Sequence, residues 1–151
     1  MNTSRKPIFI CFGLLLGMLS PIMAQGDCSQ KDLVGNWATY AMSVDSSGTY
    51  PASTSSCKIK LKSTGKINTE KYSKCYERAY GGIDTVSVAG GSFSVNKSCH
   101  LDGKIKMDTI FGRQTFVVDF GTLAQHKKTF SAVGYIVEFP TIVTHVTGVK
   151  K

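Results

Sequence analysis

The sequence predicts an all-β protein, an eight-stranded antiparallel up-and-down β-barrel. After Leu33 the chain is a series of short runs that alternate apolar and polar residues between glycine, serine and aspartate turns. Helical periodicity is nearly absent. The runs follow one another through short connections, the pattern of a meander. Closing a meander removes its two open edges, so a barrel is preferred over a sandwich.

Ahead of those runs, the charged stub Ser4-Arg5-Lys6 leads into an apolar stretch from Ile8 to Leu19 and then Pro21-Ile22-Met23-Ala24. The stretch is too short for a stable membrane anchor, and small Ala24 suits a signal peptidase. Residues 1–24 therefore read as a secretory signal peptide, and residues 25–151 as one mature domain without a transmembrane segment. The expected location is outside the cytoplasm, in the periplasm or the medium. Loss of Arg5 and Lys6 with the signal lowers the formal charge of +8 to +6.

Ser29 to Leu33 fits a single turn of 3₁₀ helix before Gly35-Asn36-Trp37, where a first strand continues to about Val44. The small-residue segment Ser46 to Ser56, with Pro51, reads as an exposed loop. Cys57 to Leu61 and Ile67 to Tyr72 flank Ser63-Thr64-Gly65-Lys66, which has hairpin-turn chemistry. Pairing about that turn sets Cys57 opposite Cys75. Thr85 to Val88 and Ser92 to Cys99 read as two strands joined at Ala89-Gly90-Gly91. Lys104 to Ile110, Gln114 to Leu123 and Thr129 to Val137 follow, and Phe139-Pro140 reads as a break before a last strand, Thr141 to Val149.

Four cysteines remain once Cys11 leaves with the signal, and an even number in an exported chain favours two disulfides. The expected register gives Cys57–Cys75 and leaves Cys28 for Cys99. No close Cys-x-x-Cys spacing points to a metal. His100, His126 and His145 are scattered, without a supporting carboxylate signature, so neither catalysis nor a metal or other cofactor is expected. The lysines accompany no arginine-rich helix and no RNA-binding aromatic motif, which argues against nucleic acid and for a solvated basic surface. Lys58, Lys60 and Lys62 form the one local stripe. With the loop before it, that stripe is the candidate contact for a protein or anionic-surface partner.

Asp32-Leu33-Val34-Gly35-Asn36-Trp37 resembles the Gly-x-Trp opening of lipocalins. The run from Gly90 to Ile105, with Phe93, Val95-Asn96, Cys99 and Gly103, resembles a hairpin of small exported bacterial lipocalin-like proteins. Ser63-Thr64-Gly65-Lys66-Ile67 is similar to their earlier turn, and Gly148-Val149-Lys150-Lys151 to their last strand. The resemblance implies that Trp37 closes the barrel base beneath a basic residue of the last strand, here Lys150 or Lys151. It also implies a lumen for a small hydrophobic or amphipathic ligand bound without covalent chemistry. Alternation nominates Phe93, Val95, Ile105, Met107, Phe116, Val118, Phe120, Tyr135 and Val137 as its lining, with Asp119 on the opposite face. A filled barrel would use those same side chains, leaving a secreted interaction or effector module that acts through its loops and basic surface.

Overall fold

The computed structural model describes residues 27–45, 51–70, 73–79 and 82–151. The expected signal segment lies outside the described residues. One helical turn, α1 (Gln30–Leu33), precedes eight strands: β1 (Gly35–Asp45), β2 (Pro51–Leu61), β3 (Lys74–Ala79), β4 (Gly82–Val95), β5 (Leu101–Thr109), β6 (Gly112–Leu123), β7 (Thr129–Ile136) and β8 (Phe139–Lys150). Each strand pairs antiparallel with the next, and β1 also pairs with β8, from Trp37↔Lys150 to Asp45↔Ile142, which closes the barrel. This is the predicted fold. Among the described residues no helix is long and apolar enough to cross a membrane.

Alternation places one face of each strand in the core. On β7 the buried residues are Phe130, Ala132, Gly134 and Ile136. On β2 they are Ile59 and Leu61, while Lys58, Lys60 and Lys62 fall on the outward parity. Cys57 pairs with Cys75, as the expected register requires. Disulfides join Cys57 to Cys75 and Cys28 to Cys99.

The structure corrects several boundaries. The segment from Pro51 to Ser56 is not a loop but the first half of β2, because β1 offers it a ladder running from Ser43↔Ser53 to Tyr40↔Ser56. Serine and threonine extend readily once both neighbours supply hydrogen bonds. Residues 46–50 lie outside the described residues. In place of a strand from Ile67 to Tyr72 there are single bridges at Lys66 and Ile67, and the β2 partner begins at Lys74. Residues 71 and 72 lie outside the described residues. Ala89-Gly90-Gly91 does not turn the chain: β4 runs through it with a register shift between Val88 and Gly90. Gly90 and Gly91 have φ of 150° and 143°, and a Cβ on Gly91 would stand 2.9 Å from the Ile105 Cα. Glycine thus supplies a bulge here rather than a hairpin end. Pro140 is the second residue of β8 rather than a break, a position where proline is tolerated. The turn before β1 is a single α-helical turn.

Candidate binding site in the barrel lumen

The base of the barrel is sealed by Trp37, which is 1% exposed. Its Nε1–H donates to the Leu33 carbonyl at 2.7 Å, so the indole is buried with its polar group satisfied. Phe130 lies against it, ring centres 5.2 Å apart. The Lys150 Nζ stands 5.7 Å from the indole centre and donates to the Asp32 carbonyl at 2.9 Å. Of the two terminal lysines, Lys150 is the one that stands over the indole. The Gln30 amide fixes α1 beneath the barrel by donating to the Phe93 carbonyl at 3.0 Å.

Above this plug is a cavity of about 70 Å³. Its wall includes Phe93, Ile105, Met107, Phe116 and Val118, five of the predicted lining residues. The Cys57–Cys75 disulfide lies in the same wall. Val95 packs against the core nearer the base, where its N–H faces the Gln30 Oε1 at 3.4 Å, and it does not line the cavity.

Phe120 and Tyr135 are corrections. They are 65% and 39% exposed, on the outer surface. The pairing of β6 with β7 shifts between Val118 and Phe120, so Asp119 is a bulge residue and Gly121 takes the inward position. A Cβ on Gly121 would lie 2.8 Å from the Leu101 carbonyl oxygen, and a phenylalanine there would collide with the backbone. On β7 the inward position next to Tyr135 is Gly134, whose Cβ would overlap the Val117 carbonyl, so only the outer face has room for the large side chain. Val137 is half-exposed, beyond the last β7 residue.

Sequence reasoning missed the polar collar. Ser43, Ser53, Glu77, Gln114 and Ile136 line both the deep cavity and a vestibule of about 200 Å³ at the end opposite Trp37. Phe111, Phe139 and Ile142 form the outer wall of that vestibule. Ser43 and Thr144 share a hydrogen bond of 2.9 Å between their hydroxyls. Gln114, 7% exposed, has no side-chain hydrogen bond among the described residues. The signal for the collar was present in the alternation: Gln114 is two residues from Phe116, and Glu77 two from Cys75.

The carboxylates at the end opposite Trp37 differ in their partners. Arg113 bonds to Asp108 at 2.8 Å and holds its carboxyl below the usual range. The Thr115 N–H, 2.7 Å from the Glu138 carboxylate, does the same for Glu138. Glu77 and Asp84 stand opposite each other in the β3–β4 register, with neither an ion pair nor a side-chain hydrogen bond among the described residues. Among those residues no group of three or more His, Cys, Asp or Glu is placed to hold a metal. The three histidines lie apart: His100 beside Asp102 and Phe120, His126 in the β6–β7 turn, and His145 against the Ser131 hydroxyl.

No protein-family model and no curated protein matches the sequence. Two solved structures resemble the fold. One is a redesigned β-barrel, b11L5F_LGL, at TM-score 0.51 and 13% identity, covering 82% of this chain and 95% of that one. The other is a redesigned β-barrel, mFAP1, bound to DFHBI, at TM-score 0.49 and 12% identity over 82% and 98% of the two chains. At these identities the likeness is one of fold alone.

Proposed function

We propose that this is an exported, lipocalin-like carrier, of the small bacterial type, that holds a small hydrophobic or amphipathic molecule in its lumen without covalent chemistry. The observation that carries the reading is a barrel closed by Trp37 at one end and, among the described residues, open at the other, with an apolar cavity beneath a polar collar. Apolar wall and convergent polar groups are the usual composition of a small-molecule site. Both spaces are smaller than the roughly 300 Å³ at which ligand pockets usually begin, so the ligand is short and narrow rather than a sterol. Two disulfides suit an oxidising compartment, consistent with cleavage after Ala24 and release to the periplasm or the medium.

Native followed by denaturing mass spectrometry of protein purified from the exported fraction of its natural host tests this. A mass excess that disappears on denaturation is the expected result, and its size identifies the cargo. The small deep cavity favours one other reading, a filled barrel acting through its surface and the Lys58, Lys60 and Lys62 stripe. Apo mass alone, with no saturable uptake of short apolar probes, would overturn the carrier reading and leave this one. Unchanged binding to anionic vesicles after charge reversal of the three lysines would reduce the stripe to a solubility device.

A further inference from the structure

We infer that the collar selects a cationic head group, and that the ligand is a short alkylammonium seated with its chain in the lumen and its nitrogen at Glu77 and Gln114. The inference rests on the carrier reading and specifies the ligand's chemistry. Glu77 lines both the deep cavity and the vestibule, so this residue stands at the boundary an amphiphile's head would occupy. Directly opposite like charges on paired strands are unfavourable, and Glu77 faces the half-buried Asp84 with no described counter-ion. A bound cation relieves that repulsion.

Gln114 supplies the second, independent observation. The residue is more than nine-tenths buried and lines the cavity, and its side-chain amide, which makes no hydrogen bond among the described residues, remains accessible from that cavity. A group that enters the space this amide faces can complete its hydrogen bonds. An ammonium group carries three donors and no acceptor. The Glu77 carboxylate, the Gln114 Oε1 and a collar hydroxyl oxygen can accept all three.

The same geometry disfavours an anionic head. Among the described residues no lysine or arginine lines the cavity or the vestibule. Arg113 is engaged by Asp108, and Arg78 lies on the exposed parity of β3. The molecule's charge is also polarised along the barrel axis. Among the described residues, Asp45, Glu77, Asp84, Asp108 and Glu138 outnumber Arg78, Lys106 and Arg113 toward the end opposite Trp37, whereas Lys58, Lys60, Lys62, Lys127, Lys128 and Lys150 outnumber Asp27, Asp32 and Asp102 toward the closed one. A field of that sense draws a cation to the mouth and repels a fatty-acid carboxylate.

The test is an NMR titration of the oxidised mature chain with n-hexylammonium, n-hexanol and n-hexanoate, probes of one chain length that differ in head group. Hexylammonium is expected to saturate at a roughly tenfold lower concentration than hexanol, the worth of one charge-assisted hydrogen bond, with hexanoate weakest and the Gln114 side-chain amide shifting on saturation. Glu77→Gln should bring hexylammonium to the level of hexanol and leave hexanol unchanged, and Asp84→Asn should weaken hexylammonium less. Hexanol or hexanoate binding the wild-type lumen as tightly as hexylammonium would overturn the head-group inference while leaving the carrier intact. So would a preference for hexylammonium that survives Glu77→Gln. If none of the three shifts the lumen resonances, the carrier reading itself fails. The wild-type ranking decides the matter even if the variants do not fold.

Discussion

At the scale of single residues, the base of the barrel depends on a few polar atoms arranged around Trp37. Asp32 is one of them: its carboxylate accepts from the Ser29 N–H at 2.8 Å and the Ser29 hydroxyl at 3.0 Å, and lies 3.2 Å from the Lys127 ammonium. Burial raises this carboxyl, but the Ser29 N–H, Lys127 and the Ser29 hydroxyl together outweigh it and hold the group below its usual value. A carboxyl depressed in the folded state contributes stability that is fully present above its unfolded value of ~3.9 and is lost as pH falls through the folded one. Asp32→Asn should therefore cost about 1 kcal/mol near neutral pH. The variant and wild-type unfolding curves should begin to converge only below about pH 4, as the folded-state carboxyl takes up its proton. Urea unfolding at a series of pH values measures this, and a constant difference down to the most acid pH would show that the Asp32 charge has no part in it.

At the scale of elements, bulges decide which side chains reach the lumen. A strand's facing parity is legible in sequence only until a residue is inserted into one side of the ladder, and a bulge carries no obligatory composition. Phe93, Ile105, Met107, Phe116 and Val118 precede any such shift on their own strands or fall beyond it in phase, and they line the cavity as alternation expects. Phe120 follows the Asp119 bulge and is turned outward. The Cys57↔Cys75 register was legible because both cysteines belong to the inward parity and the turn between them limits the slippage. The collar was legible in phase but overlooked, since hydrophobicity was used to choose among inward positions and Gln114 and Glu77 are polar. The bulge account makes its own prediction. Gly121→Ala, whose Cβ would lie 2.8 Å from the Leu101 carbonyl oxygen and 3.1 Å from the Val118 Cγ1, should destabilise by about 1–3 kcal/mol. Gly82→Ala, with nothing within 4 Å of the added Cβ, is the control and should be close to neutral. Equal losses in chemical denaturation would mean that backbone crowding at β6 does not set the inward position.

At the scale of the whole molecule, closure of the barrel depends on β1 meeting β8, the most distant strands in the chain. Such a contact carries a large loop-closure entropy, and the two disulfides reduce it unequally. Cys28–Cys99 spans 71 residues and ties the segment leading into α1 to the turn between β4 and β5, whereas Cys57–Cys75 spans 18 and joins neighbouring strands. In the chain-entropy account the longer link is worth about 4 kcal/mol and the shorter about 3 kcal/mol. The Cys28→Ser, Cys99→Ser double variant should accordingly lose about 1 kcal/mol more than the Cys57→Ser, Cys75→Ser variant. Trp37 is the single tryptophan and is buried in the base, so its fluorescence during urea unfolding reports directly on the closed end. The two mechanisms differ in direction, which makes the comparison decisive. Cys57 and Cys75 line the lumen, so their loss also removes wall atoms from the cavity. If that variant is the less stable one, packing within the lumen rather than restriction of the unfolded chain is the main contribution of the bridges. The opposite order, with hexylammonium uptake lost only when the lumen pair is replaced, would separate the bridge that stabilises the closed barrel from the one that shapes its binding site.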